Sequence, residues 1–276
     1  MDRRRFLLVL AAGLTGAAVG HGTIGVVDSS GPPRLTPAGE ALPVPRGVPG
    51  LVPVAPPDGV VTALPGEGTS LALTIDDGTS SEVVAAFVAF AVDANVRLTF
   101  FPNGCYRSWE DNAAALRPLV DSGQVALGNH TWSHPDLTTL NDQQVAEEIS
   151  RNRDFLWRVF GVRDSPFFRP PFGAHDERTD RVAADVGHPT IAMWNGTLGD
   201  SKVLTPAELM DAARQWFAAQ AVIVGHANHP TVTTLYGDLL DLIRERGLRT
   251  VTLADVWATP IARLRGAVAR TTVPTG

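Results

Sequence analysis

Seven short runs of β-forming residues recur between residues 70 and 252, and six segments with helical spacing separate them. The runs cover residues 70–75, 97–102, 124–129, 166–169, 190–194, 221–225 and 249–252; the helices are predicted at 80–93, 110–122, 141–160, 177–186, 205–220 and 233–246. This alternation predicts an α/β fold with a parallel sheet, because parallel neighbours need long, right-handed crossovers. Polar residues collect where the runs end, at Asp76, Asp77, His130, Arg169, Trp194 and His226. Functional groups at strand ends on a repeated βα pattern predict a barrel with its site on the carboxyl-terminal rim. A doubly wound open sheet is the alternative, but no Gly-x-Gly-x-x-Gly follows the first run.

In the first run Leu71, Leu73 and Ile75 fall on one face, with the small Ala72 and Thr74 on the other. Asp76 continues the small face. Asp77 points the opposite way in an ideal strand, but Gly78 lets the backbone turn, so both carboxylates can converge on one pocket. Adjacent acids in a pocket repel, and each needs a cation or a proton. The helix starts carry local signals: Thr79 with Glu82, Asn141 with Gln144, and Thr205-Pro206-Ala207-Glu208.

At 276 residues and 44% hydrophobic content the chain can fill one large core or two small ones. A net charge of -6 without a basic run in the body argues against a nucleic-acid partner. Cys105 is the only cysteine, so no intrachain disulfide forms, and it is expected to be a small buried residue. Asp2-Arg3-Arg4-Arg5-Phe6 places paired arginines before an apolar stretch over residues 6–19, the pattern of a twin-arginine export signal. Residues 1–20 are therefore expected to be an export signal, or an anchor where cleavage near Ala17-Ala18 does not occur. Residues 21–69, dense in proline and glycine, are expected to be an extended spacer. The catalytic domain is expected over 70–258 and a loose tail over 259–276. Expected partners are the export machinery and, through an uncleaved leader, a membrane tether; the expected location is extracellular or in the cell envelope.

His130 and His134 lie four residues apart just after a run, on one helical turn or in a tight loop. Either arrangement lets two ring nitrogens reach one ion. With Asp77 they supply two histidines and one carboxylate, which leaves positions open as a catalytic divalent site requires. Asp76 then has a separate role as the base that takes a proton from the attacking water. Arg169, in Arg169-Pro170-Pro171-Phe172-Gly173, offers a permanent cation that keeps Asp76 ionised. His226 is the expected proton donor to the leaving group, with His229 close enough in sequence to leave that choice open. His21, His175 and His188 have no metal-like spacing.

With these motifs in order over residues 70–258, the chain resembles the polysaccharide deacetylases of carbohydrate esterase family 4. The resemblance implies an irregular (β/α)7 barrel. It implies Asp76 as base and Asp77, His130 and His134 as ligands of one divalent ion, zinc first, with cobalt, nickel or manganese as alternatives. Residues 194–200 match the motif in which Asp200 orients His226 and raises its pKa, and Pro170, Phe172 and Trp194 are implied to contact substrate. Phe172 stands where the family usually has Tyr, which preserves the backbone N–H expected to stabilise the oxyanion. Ser201 stands where a second Trp is usual, so the groove is expected to be reshaped. The implied reaction is metal-dependent removal of an acetyl group, N-acetyl before O-acetyl, from an acetylated cell-envelope glycan. Left open beside it are an exported amidohydrolase acting on a small non-sugar amide and a non-catalytic glycan-binding protein on the same fold. A two-histidine, one-carboxylate iron oxygenase also fits the ligand set, though such sites commonly sit on all-β scaffolds.

Overall fold

The structure is a computed structural model that describes residues 47–258. The leader, the first part of the expected spacer, His21 and the tail lie outside the described residues. Strand β2 (Ser70–Asp77) is buried at all eight positions and is the axis of the fold. Along one side it pairs with β8 (Ala221–His226) from Leu71 to Asp76. Its other side is shared: β9 (Arg249–Val251) pairs with residues 70–72, and β3 (Leu98–Pro102) pairs with residues 74–77. The sheet continues through β3 to β4 (Val125–Leu127) and through β8 to β7 (Gly196–Thr197).

A second sheet runs β1 (Gly59–Val61), β6 (Thr190–Ala192), β5 (Phe167–Phe168). Every ladder in both sheets is parallel. Two joints connect the sheets. The chain leaves β6 and enters β7 within a few residues, so one continuous run pairs first with β5 and then with β8. Beyond β4, Asn129 forms a parallel bridge to Phe168. The ring thus passes through β2, β3, β4, β5, β6–β7 and β8, an irregular α/β barrel with thin joints. All seven predicted strands form, and β1 and β7 add to them.

The alternation in β2 decides which residues face the barrel interior. Leu71, Leu73 and Ile75 pack outward among Val83, Val84 and Phe87 of α1 (Ser81–Ala94). Ala72 faces inward with Phe101, Phe167, Ala192, Val222 and Val251. Small β2 residues are needed inside because the narrow interior already holds two phenylalanines and an arginine. Helix α4 (Asp142–Phe160) starts at the predicted Asn141–Gln144 capping box, and α6 (Pro206–Trp216) at the Thr205–Glu208 box.

Several local expectations are corrected. Ser80, not Thr79, caps α1, because the Thr79 side chain is engaged elsewhere. The helix expected over 110–122 divides at Asn112 into α2 (Ser108–Asp111) and α3 (Ala113–Ser122), with the Asn112 amide bonded to Ser81. Helix α5 (Glu177–Asp185) ends a residue early, and α6 stops at Trp216 rather than at 220. The helix expected over 233–246 is α7 (Tyr236–Glu245), preceded by a 3-10 turn. A short α8 (Leu253–Val256) closes the described chain. The extended spacer does not reach residue 69: Val48 and Leu64 are buried in the interior cluster, and β1 pairs with β6. Cys105 is exposed rather than buried. Among the described residues no helix is long and apolar enough to cross a membrane.

Candidate active site

Asp76 enters the barrel mouth from the small face of β2 and is 3% exposed. Arg169, which follows β5 and is fully buried, meets it with Nη1 donating to Oδ1 at 2.8 Å. The same Nη1 donates to Thr74 Oγ1, Nε to the Ala192 carbonyl at 2.6 Å, and Nη2 to the Met193 carbonyl. The guanidinium lies 4.2 Å over the Phe101 ring and 5.4 Å from Trp194. Burial lowers the Arg169 pKa while the Asp76 charge raises it. A buried guanidinium with each arm engaged is a fixed positive charge set against the Asp76 carboxylate.

Asp77 makes the turn itself, with φ 68, and Gly78 continues it at φ 96. Trp109 Nε1 donates to the Asp77 carbonyl at 2.8 Å, and the Asn103 N–H donates to the same oxygen at 3.2 Å. The Ser108 hydroxyl donates to the Gly78 carbonyl. A Cβ at Gly78 would lie 2.4 Å from the Trp109 indole, so only glycine passes there. Held in this way, Asp77 Oδ1 stands 3.2 Å from His130 Nε2 and 3.3 Å from His134 Nε2. Oδ1 is buried without a hydrogen-bond partner among the described residues, while Oδ2 accepts from Asn228 Nδ2 at 2.7 Å.

The two histidines lie in a tight loop, which resolves the helix-or-loop alternative. Thr131 has φ 68 and His134 φ 61; the His134 N–H donates to Thr131 Oγ1, and the Thr131 N–H to Asn129 Oδ1. Asn103 Nδ2 donates to the His130 carbonyl. Of six non-glycine residues with positive φ among the described residues, Asp77, Thr131, His134 and Phe172 surround this site. Such strained conformations persist where surrounding contacts over-determine them, commonly at functional sites.

His130 Nδ1 lies 2.6 Å from the Arg169 carbonyl and must donate to it. The lone pair of Nε2 then faces a carboxylate oxygen that has no proton of its own. With His130 neutral, two acceptors stand 3.2 Å apart, a gap that a proton on Nε2 or a metal cation between them would fill. Burial opposes charge on His130, but Asp76 and Asp77 outweigh it and raise its pKa; Asp77 is buried too, yet the His130 hydrogen bond and charge hold it well below the usual carboxylate range. Burial and the charge of His130 lower the pKa of His134. The three ligand atoms lie within 4.8 Å of one another. This donor set, with an orphaned carboxylate oxygen and one imidazole oriented from behind, fits a divalent ion.

His226 ends β8 as the register partner of Asp76. Its Nδ1 lies 2.9 Å from Asp200 Oδ1, and its N–H donates to Asp200 Oδ2 at 3.3 Å. Burial lowers the His226 pKa, but Asp200 and the two site aspartates raise it further, so the net direction is upward. Phe172 is 71% exposed and sets its ring edge-to-face against His134 at 4.4 Å. Trp194 is half-buried behind Arg169, whereas Pro170 is buried. Ser201 is exposed. The structure thus gathers Asp76, Asp77, His130, His134, Arg169, Asp200, His226, Phe172 and Trp194 on one rim. His175 pairs with Asp180, and His188 lies buried against Asn129, both outside the site.

Asn228 and Trp109 bear directly on the site and escaped sequence reasoning, as did an amide network behind it. Asn152 Nδ2 donates to the Pro102 carbonyl and to Asn129 Oδ1, and its Oδ1 accepts from the Gly104 N–H. One signal was available: Asn152 sits on the apolar stripe of α4 with Val145, Ile149 and Leu156. A polar residue on a buried stripe has to be satisfied by something.

The family profile described as Polysaccharide deacetylase matches residues 64–191. Over 187 residues the chain is 27% identical to the peptidoglycan-N-acetylglucosamine deacetylase PgdA of Listeria monocytogenes, covering 68% of this chain and 38% of that protein. The chain therefore spans less than half the length of that relative. It is 31% identical to the uncharacterized protein SCO4760 of Streptomyces coelicolor, covering 66% of this chain and 71% of that one. In fold it is similar to BA3943 of Bacillus anthracis, described as a CE4 family pseudoenzyme, with TM-score 0.64 and 19% identity over 74% of this chain and 69% of the other.

Proposed function

The chain belongs to the polysaccharide deacetylase family, carbohydrate esterase family 4, and on that premise we propose that it is a metal-dependent hydrolase removing acetyl groups, N-acetyl foremost, from a cell-envelope glycan. The observation that carries this reading is the division between two adjacent aspartates. Asp77 turns away to stand 3.2 Å and 3.3 Å from His130 and His134, while Asp76 binds Arg169 at 2.8 Å and lies 3.9 Å from His130. A protein that only binds glycan has no need of that division, which favours an enzyme over the silent state described for BA3943.

Asp77, His130 and His134 would hold the ion, with zinc first and cobalt, nickel or manganese as alternatives. When bound, it supplies Lewis acidity that polarises the acetyl carbonyl and acidifies water. Arg169 binds Asp76 Oδ1, leaving Oδ2 to take the proton of the attacking water. The Phe172 N–H would serve as the donor to the developing oxyanion, and the Phe172 and Trp194 side chains would contact the sugar. His226, held by Asp200, gives its proton to the departing amine as the C–N bond breaks, so the products are acetate and a free amino sugar. The paired arginines before the apolar stretch over residues 6–19 and the name of the Listeria relative support an exported location in the envelope or outside it, with a membrane tether where such a leader stays.

The test is acetate release from acetylated chitooligosaccharides and from peptidoglycan by metal-stripped protein, with and without added zinc or cobalt. Metal-dependent acetate from either substrate is the expected result. Bound metal without acetate from either moves the assignment to the small-amide hydrolase or to a silent binding protein.

A further inference from the structure

Asn228 touches the site from outside the motifs. Its Oδ1 accepts two hydrogen bonds from Thr79, one from the backbone N–H at 3.1 Å and one from Oγ1 at 2.9 Å. With two donors on its oxygen, the amide has one satisfactory orientation: the NH2 end faces Asp77, and Nδ2 donates to Oδ2 at 2.7 Å. Flipping it would set a carbonyl against a carboxylate and an NH2 against a backbone N–H. The loop carrying Asn228 is fixed to the tip of β2 by two further bonds, Ala227 N–H to the Asp76 carbonyl and Ser80 N–H to the Ala227 carbonyl.

We propose that Asn228 is a positioning residue that occupies Asp77 Oδ2 and so presents Oδ1 alone to the cation, and that Thr79 sets the orientation in which Asn228 does this. The inference rests on the reading of Asp77, His130 and His134 as ligands. It explains why one Asp77 oxygen is satisfied while the other is buried, bare and within 3.3 Å of both imidazoles. The choice of an amide matters. A lysine or arginine here would also bind Oδ2 but would cancel the charge that attracts the ion; asparagine orients the carboxylate and leaves its charge intact.

Zinc affinity, measured by competition with a chromogenic chelator, tests this without relying on turnover. Asn228→Ala is expected to weaken zinc binding by roughly 10- to 100-fold, the usual cost of losing a partner behind a ligand. Thr79→Val removes one of two donors on an exposed residue and is expected to cost roughly 2- to 10-fold, in line with one hydrogen bond. In the Asn228→Ala background, Thr79→Val should cost nothing more, because its effect passes through the missing amide. The thermal midpoint of the zinc-free protein should stay put in both variants, which separates positioning from a merely structural role. Asp77→Ala serves as the reference and should abolish tight binding. If Asp77→Ala loses zinc while Asn228→Ala binds within twofold of the unaltered protein, the proposal is overturned and the ligand assignment stands. If Asp77→Ala binds zinc as tightly as the unaltered protein, the ligand assignment itself fails. Should Asn228→Ala not fold, Thr79→Val decides: unchanged affinity overturns the proposal, and a loss supports it.

Discussion

His226 and His188 are both largely buried imidazoles held through one ring nitrogen, yet they are pushed in opposite directions. At the rim, His226 Nδ1 meets the Asp200 carboxylate, whose hydrogen bond and charge outweigh burial and raise the pKa. Behind the barrel wall, His188 Nε2 accepts from the Asn129 amide, and burial, with the Arg153 charge adding to it, lowers the pKa to about 4. Burial is common to both, so the partner decides which histidine carries a proton near neutral pH. The contrast lies in the group beside each ring: a carboxylate at His226 and an amide at His188. Converting one kind of partner into the other tests whether that division is what makes the rim reactive.

The largest effect is expected from Asp76→Asn, which gives the rim an amide in place of its base. Turnover should fall by roughly 100- to 10,000-fold, while zinc affinity stays within a few-fold, because Asp76 Oδ1 binds Arg169 and Oδ2 stands 3.9 Å from His130 Nε2, farther than Asp77 Oδ1 at 3.2 Å. Steady-state acetate release beside chelator competition checks both halves. Loss of zinc in this variant would show that the two aspartates do not divide their roles.

Asp200→Asn is the next step down. His226 acts as an acid only while protonated, so the rate holds below its pKa and falls as pH rises through it. Removing the Asp200 charge lowers that pKa and moves the basic limb of the pH–rate profile to lower pH. The backbone N–H of His226 aggravates this, because it favours an acceptor at Oδ2 and so turns the new amide's NH2 toward Nδ1. Above both limbs the variant should be slower by roughly tenfold for each unit the limb moves, with the rates converging toward acid pH. A basic limb that stays in place would remove His226–Asp200 from the acid role.

How far these sites could be read beforehand follows from the range of the interactions. The β2 alternation, the capping boxes at Asn141 and Thr205, and the strand-end clustering of Asp76, His130 and His226 are properties of neighbours in sequence or of the βα repeat, and all reappear in the structure. What was not legible depends on partners far along the chain. Asn228 meets Asp77 across 151 positions, and Thr190 bonds the Pro57 carbonyl across 133, so neither the Asp77 clamp nor the packing of residues 47–69 has a local signature. Proline and glycine density read as spacer because β1 finds its partner only in β6. Trp109 looks like an ordinary core aromatic until its indole N–H is seen on the Asp77 carbonyl. The turn at Asp77 was expected at Gly78 for a similar reason: positive φ in an aspartate follows from the atoms that grip its carbonyl, not from its own preference.

The smallest effect on turnover belongs to the interior, where His188→Gln should leave acetate release unchanged at neutral pH and still alter stability in acid. His188 has a folded pKa of about 4 against an unfolded value near 6.5. Between those values the unfolded chain binds the extra proton and the folded one does not, so folding loses free energy as pH falls through that window. The full difference is about 3 kcal/mol, reached near pH 4 and absent above pH 7. Glutamine keeps an acceptor for Asn129 Nδ2 but has no proton to take up, so the variant should show a shallower decline of urea-unfolding midpoint between pH 6.5 and 4. An equal decline in the two proteins would mean that His188 is protonated in the folded state despite facing an amide donor. The partner rule drawn from the His226 comparison would then fail in the interior while still holding at the rim.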